Sequence, residues 1–447
     1  MIARGAAIAA GRGAQDGECR AQHVVGLSRA GGGHAYLPRR QPFRHRAGKG
    51  RGRGRARHRG QRAGGVPAPR PSLAYPARPL HLRRAQAEMP CLPDTGSLRL
   101  RGQDAGGPAE TREKDHFMSD PYDVVGIGNA IVDVISHGDD SFLENMGITK
   151  GIMQLVERER AELLYAAMSD RVQTAGGSVA NTIAGVGSLG LSTAFLGKVK
   201  DDALGRFYAA GMVEQGTDFP NPPVPGDLPP TSRSMIFVSP DGERSMNTYL
   251  GAGADFDEDD VDADVAARAR WLFLEGYLYD KPEGKAAFTA AARACRAGGG
   301  KVGITLSDPF CVDRHRADFL RLITDEMDYT IGNHEEWLAL YETDDLEAAL
   351  EQAARVCELV VCTHSGDPVK LIRGAERAEV PVERITPVDA TGAGDQFAAG
   401  FLYGMATGQD LEMAGRMGVA AASEVIRHIG PRPKRPLSAL FAEQGLI

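Results

Sequence analysis

Beyond residue 120 the chain alternates short apolar runs with helix-like segments, and this alternation restricts the fold more than any other feature. The runs Tyr122–Gly128, Trp271–Glu275, Lys301–Leu306, Tyr329–Ile331 and Glu358–Thr363 read as buried strands. Residues 286–297, 346–356 and 411–428 read as helices between or after them. The pattern predicts an α/β domain: a doubly wound, mostly parallel sheet with helices on both faces and ligands at the carboxyl ends of its strands. One stretch departs from it. Arg233–Ser239 and Arg244–Leu250 are β-rich and flank Pro240-Asp241-Gly242-Glu243, whose Asp-Gly pair marks a hairpin. With Gly151–Val156 the hairpin predicts a small β lid, from segments near 135–157 and 217–252, that would exclude water from a site beneath it.

The charge divides the chain in two. Residues 1–117 carry 23 Lys and Arg against 8 Asp and Glu, whereas residues 118–447 carry 29 against 51, so the net charge of −7 conceals opposite halves. The first segment is rich in Gly, Ala, Arg and Pro, peaks at Gly50–Gly60, and shows no periodicity that would let it fold alone. It reads as a disordered Arg/Gly-rich leader. Met118-Ser119-Asp120-Pro121 stands directly before the first strand, so the leader is expected to be upstream sequence from a mis-assigned start, with 118–447 as the folded domain. An organelle transit peptide and an RNA-binding arm are the other readings of the leader. The acidic balance of 118–447 points away from nucleic acid as its partner. No run of eighteen apolar residues predicts a membrane span. Cys19, Cys91, Cys295, Cys311, Cys357 and Cys362 form no Cys-x-x-Cys pair, which predicts a reducing, cytoplasmic setting and no zinc.

Chemistry concentrates at Asp389-Ala390-Thr391-Gly392-Ala393-Gly394-Asp395, which leads into a small-residue helix. A helix N-terminus offers unpaired N–H groups and a positive dipole end, and Gly392, Ala393 and Gly394 add little bulk to hold a phosphate away. Asp395, one step into the turn, is placed to take a proton from an attacking hydroxyl while those amides stabilise a transferring phosphoryl group.

Three further motifs accompany it. The first strand runs into Gly128-Asn129-Ala130-Ile131-Val132-Asp133; Ile131 stands where a dinucleotide fingerprint needs a third glycine, which leaves Asp133, at a strand end, as a carboxylate for two neighbouring hydroxyls. In Gly176-Gly177-Ser178-Val179-Ala180-Asn181 the glycines permit close approach and Asn181 offers a donor and an acceptor to a sugar hydroxyl. Asn333-His334-Glu335-Glu336 puts Asn333 and Glu336 three apart on one helical face, suited to metal-bound water near phosphates.

The Gly-Gly-x-x-x-Asn, Asn-x-x-Glu and Asp-x-Thr-Gly-Ala-Gly-Asp motifs, in this order, resemble those of the ribokinase-like (PfkB) carbohydrate and nucleoside kinases over essentially all of residues 118–447. The resemblance implies a ribokinase-like fold with ATP and Mg²⁺. It makes Asp395 the base, Gly392–Gly394 the anion hole, and Asp133, Gly176, Gly177 and Asn181 the acceptor site. Arg244 on the lid hairpin would approach the phosphoryl group, and Asn333 and Glu336 would organise Mg²⁺ through water. Thr363 and Gly366, with Thr391, would face the nucleotide, and Asp389 and Thr391 would adjoin a monovalent cation such as K⁺. The chain is most similar to the adenosine kinase branch, through Gly128–Asp133, Lys150–Val156, Leu306–Phe310 and His428–Pro433. That branch implies transfer to the 5′-hydroxyl of adenosine, giving AMP in purine salvage, with Ile131, Met153, Phe237, Met246 and Phe310 as wall residues for the base. A sugar kinase for ribose, fructose or a related sugar acid is the alternative, and a non-catalytic nucleotide-responsive regulator the reading from another class. Either enzyme is expected as a monomer or homodimer acting on a small-molecule nucleoside or sugar.

Overall fold

The computed structural model describes residues 120–447, so the expectations for residues 1–117, Cys19 and Cys91 among them, lie outside the described residues. Strand β1 (Tyr122–Ile127) opens the large sheet, and three residues later β2 (Ile131–His137) opens a second one. The chain continues through α1 (Asp140–Asn145), β3 (Met153–Leu155), α2 (Arg158–Ala167) and β4 (Val172–Gly176). It returns in α3 (Ser178–Ser188), β5 (Thr193–Leu196), α4 (Ala203–Glu214) and β6 (Thr217–Asp218), and leaves again as the hairpin β7 (Arg233–Val238) and β8 (Arg244–Tyr249). Next come α5 (Ala263–Ala267), β9 (Ala269–Glu275), α6 (Pro282–Ala297), β10 (Lys301–Thr305), α7 (Pro309–Asp325), β11 (Tyr329–Asn333) and α8 (His334–Tyr341). The last elements are α9 (Leu346–Ala354), β12 (Leu359–His364), β13 (Asp367–Arg373), β14 (Glu376–Val380), α10 (Ala393–Ala406), α11 (Leu411–Val425) and α12 (Leu437–Glu443).

Among the described residues nine strands form the large sheet in the order β14-β13-β12-β11-β10-β9-β1-β5-β6. It is parallel from β6 to β12, and β13 and β14 extend it as antiparallel strands. Alternation along the strands sorts side chains onto two faces. Val124, Phe273 and Val361 join a core with residues of α3 and α10, whereas their neighbours Val125, Leu272 and Val360 join a second core with residues of α6, α7, α8 and α9. This is the doubly wound ribokinase-like architecture.

The small sheet has the order β3-β8-β7-β2-β4. It is wider than the hairpin with Gly151–Val156, because β2 and β4 belong to it, so its first segment spans 131–176. Asp133 accordingly lies inside β2 rather than at the carboxyl end of the first strand. Val132, Val134, Met235 and Phe237 fix β2 and β7 into the first core, while Met153 and Leu155 on edge strand β3 are exposed.

Candidate active site

The carboxyl ends of β9 to β12 and one face of the small sheet enclose a cavity of about 1130 Å³. Glu275, Thr305, Asn333 and Thr363 line it from the large sheet, and Ile131, Asp133, Ser234, Thr248 and Leu155 from the small one. Two helix N-termini close one end. In α3, Gly185 lies against Ala399 and Gln396 of α10, with no room for a larger residue, so the helices pack at close range. That approach brings Asp395 to α3: its Oδ1 accepts from Ser178 Oγ at 2.7 Å and its Oδ2 from Asn181 Nδ2 at 2.9 Å. Thr182 Oγ1 donates to the Asp395 carbonyl at 3.0 Å. Burial pushes the Asp395 carboxyl up to about 6 against the pull of these two side-chain donors, and the group stays partly accessible from the cavity.

The turn before Asp395 differs from the three-amide cradle expected for it. The Ala393 N–H donates to the Ala390 carbonyl at 3.2 Å, while those of Gly394 and Asp395 have no protein partner among the described residues. Gly394 is open to the cavity, and space for a side chain there is empty. Gly392, at φ +80° and tight against Pro431, shapes the turn and is not among the cavity-lining residues; Thr391 is. Of the amides from 392 to 395, those of 394 and 395 are the ones that both lack a partner among the described residues and belong to cavity-lining residues.

Across the small sheet, Asp133, Ser234, Thr248 and Leu155 stand in one register row. Ser234 and Thr248 share a hydrogen bond at 2.9 Å, and the Asp133 carboxylate has no hydrogen bond within the described residues. Burial pushes Asp133 up to about 7 against the pull of Arg432 and Arg244. Gly176 faces the Asp133 carboxylate and leaves it its space, and Gly177 starts α3 at φ +101°. Asn181 is more committed than expected: besides Asp395, its Oδ1 accepts from Arg432 Nε at 3.0 Å. Of the apolar wall residues, Ile131, Met153, Met246 and Phe310 line the cavity, and Phe310 is 75% exposed. Phe237 does not: it is buried on the opposite face, 5.2 Å from the Phe142 ring.

Farther along the cavity, Asn333 is the N-cap of α8 rather than a residue on its face. Its Oδ1 accepts from Glu336 N at 2.9 Å, and the Glu336 carboxylate accepts from Asn333 N at 2.8 Å and Nδ2 at 2.6 Å, a capping box. Burial pushes Glu336 up to about 7, opposed by the Asn333 N–H and reinforced by Asp308 and Glu335, which also line the cavity. Thr363, His364, Ser365 and Gly366 line the same end as the tight turn between β12 and β13, with Ser365 at φ +45°. His364 stacks on His334 with 3.9 Å between ring centres.

Arg244 and Asp389 are placed differently from expectation. Neither lines the cavity; they lie 2.9 Å apart, nearly sealed from solvent, as an ion pair whose N–H direction misses hydrogen-bond alignment. Asp389 also accepts from Thr391 N at 3.0 Å and Gly430 N at 2.9 Å, so both of its oxygens already have donors.

Three participants escaped the sequence reading. Ser178, which had been given no role, reaches Asp395. Glu275 accepts from Asn129 N and Nδ2 at 3.1 and 2.8 Å and from Val179 N at 3.1 Å, which ties β9, the β1–β2 link and α3 together; burial pushes it up to about 7. A charged residue ending a buried apolar run was its signal. Arg432 lies in irregular chain after α11, inside the His428–Pro433 stretch that carried the resemblance, but nothing local assigned it a role.

The family model described as pfkB family carbohydrate kinase matches residues 145–437. The chain belongs to this family. It is therefore an ATP-dependent kinase that phosphorylates an alcohol group. The kinase is 49% identical to the adenosine kinase from Sinorhizobium meliloti, covering 73% of this chain and 99% of that one with a TM-score of 0.67. It is 46% identical to a probable sugar kinase protein from Rhizobium etli CFN 42, covering 74% and 100% with a TM-score of 0.68. A 5-dehydro-2-deoxygluconokinase from Geobacillus kaustophilus is 31% identical over 264 residues, 56% of this chain and 78% of that one. Among the described residues no helix is long and apolar enough to cross a membrane.

Proposed function

We propose that residues 118–447 form the catalytic unit and that it transfers the γ-phosphoryl group of ATP to the 5′-hydroxyl of adenosine. The observation that carries the choice of acceptor is the register row of the small sheet. It begins with a free carboxylate and two hydroxyls, at Asp133, Ser234 and Thr248, and ends in apolar surface at Leu155, flanked by Met153 and Met246. A nucleoside has that polarity: hydroxyls at one end, a flat base at the other. The identity to the Sinorhizobium meliloti adenosine kinase supports the same reading.

In this reading Asp133 holds the ribose hydroxyls and Asp395 receives the proton of the 5′-hydroxyl. The oxygen so freed forms its bond to the γ-phosphorus as the bond to the departing ADP oxygen breaks. The unpartnered N–H groups of Gly394 and Asp395 face the charge that develops. Arg244 is ion-paired with Asp389 off the cavity, so in this reading it reaches a phosphoryl oxygen only by leaving that carboxylate. Among the described residues no three Asp, Glu, His or Cys side chains converge as direct metal ligands, but Asp308 and Glu335 make charging Glu336 costlier along one stretch of the cavity, where a water-held divalent cation would offset that charge. Glu336 and Asn333 would hold Mg²⁺ through water. Bound there, Mg²⁺ supplies neutralisation of phosphate charge. Thr363, Gly366 and Thr391 border the nucleotide in this arrangement.

A second reading, a sugar kinase, is favoured by the match to the 5-dehydro-2-deoxygluconokinase and the probable sugar kinase. Purified kinase given Mg-ATP with adenosine, ribose, fructose and 5-dehydro-2-deoxygluconate separates them. Adenosine is expected to give AMP with the highest kcat/KM; turnover of a sugar without turnover of adenosine would overturn the nucleoside assignment.

A further inference from the structure

We infer that Arg432 is a positioning residue for the phosphoryl transfer, holding Asn181 in the one orientation that keeps Asp395 aimed and ionised. The inference rests on the proposed role of Asp395 as base.

An asparagine side chain with no fixed neighbours can present either end. Here Arg432 Nε donates to Oδ1 at 3.0 Å, which leaves Nδ2 as the end facing Asp395. Arginine has no acceptor, so the reversed amide would set two donors against each other at Arg432 and two acceptors against each other at Asp395. Ser178, three residues earlier on α3, holds the other oxygen of the same carboxylate. Asp395 thus sits between donors on successive turns of one helix, and Arg432 locks one of them.

The chain that carries Arg432 is itself anchored to the two helices. Gln396, fully buried and next to Asp395, donates through Nε2 to the Asn181 carbonyl and to the Pro431 carbonyl, both at 3.2 Å. Behind Asn181, the guanidinium rests on α4, with Nη2 3.9 Å from Met212 Sδ, and its Nη1 is buried without a partner. Arg432 is partly accessible as a residue, yet this end of it is sealed.

The charge matters as well as the donor. Arg432 faces Asp133 from β2, Asp395 from α10 and the Tyr208 hydroxyl from α4. Arg244 also acts on Asp133, and Glu275 feels Asp395. Among these groups Arg432 is the cation that lowers both Asp133 and Asp395 against their burial. Removing it raises both carboxyls, and the fraction of ionised base at neutral pH falls.

The test is kcat, acceptor KM and the pH dependence of kcat for Arg432→Met, Arg432→Lys and wild type, on the acceptor that wild type turns over. Arg432→Met is expected to lose roughly 30- to 100-fold in kcat, as for a truncated buried charge-assisted hydrogen bond, with its acid limb moved to higher pH. Arg432→Lys keeps the charge but not the fixed fork, so its acid limb should stay near that of wild type while kcat still drops. If Arg432→Met does not fold, the limb and kcat of Arg432→Lys decide. Wild-type kcat and acid limb in the variants would overturn the inference, as would a change in thermal stability alone. Asp395→Asn run alongside separates two failures: full activity there removes the base on which Arg432 would act, whereas a dead Asp395→Asn beside unaffected Arg432 variants removes Arg432 only.

Discussion

Arg244 and Asp389 meet 2.9 Å apart, one at the start of a small-sheet strand and the other in the loop before α10. The pair joins the sheet that carries Asp133 to the turn that carries Asp395. Asp389 would keep two main-chain N–H donors without Arg244, but Arg244 has no other partner among the described residues. Removing the acid therefore leaves a buried cation, the costlier half of the pair. Asp389→Asn should lower unfolding stability by about 3 kcal/mol in urea titration, and Arg244→Met by less. On the proposed assignment Arg244→Met should instead reduce kcat, by roughly 100-fold; equal loss of stability in both variants with unchanged kcat would contradict that division.

Asp395→Asn is expected to cost about 10³-fold in kcat, within the range for loss of a general base, while ATP binding measured by calorimetry persists. In the wild type the base must be ionised. With its carboxyl pushed up to about 6, kcat should fall as pH drops below that value. A flat profile from pH 7 to pH 5 would remove Asp395 from the role.

Stability should run the opposite way. Asp133, Glu275 and Glu336 are pushed up to about 7 and Asp395 to about 6, whereas in the unfolded chain they titrate near their ordinary values of 3.8 and 4.5. Between these limits the folded state binds more protons, so the stability held below pH 4 is lost progressively as pH rises to about 7. Asp133 has no internal hydrogen bond to lose, so Asp133→Asn should raise Tm at pH 8, flatten the dependence on pH and weaken acceptor binding. A Tm that rises from pH 5 to pH 8 would refute the sign.

Adjacent glycines should respond differently to a methyl group. Gly176→Ala places it against the movable Asp133 carboxylate without backbone strain, so acceptor KM should rise about tenfold, with a small change in Tm. Gly177→Ala puts it against the Asn129 carbonyl at φ +101°, a main-chain clash that should destabilise the fold by about 2 kcal/mol. Reversed effects would show that Gly176 is the structural member.

Period and punctuation made the parallel sheet, its helices and the Asp241-Gly242 hairpin legible in the sequence, since each depends on neighbours along the chain. The Asp395 turn was legible for the same reason. What stayed hidden depends on contacts across hundreds of residues: Arg432 meets Asn181 251 positions away, and Asp395 meets Ser178 217 away. Asp133 and Phe237 were misplaced because a strand begins three residues after β1 and because alternation along β7 turns Phe237 from the cavity. Asn333 and Glu336 were read as a ligand pair, yet the same spacing also satisfies a helix end.

The two sides of the small sheet are unequally supported. Asp133 is on a strand backed by fully buried Val132 and Val134, while Met153 and Leu155, 46% and 56% exposed, stand on the unsupported margin. Under the proposed reading, discrimination would be strict where the acceptor's hydroxyls are gripped and forgiving at its far end. Analogues altered in the heterocycle should then be tolerated, and epimers of the pentose rejected.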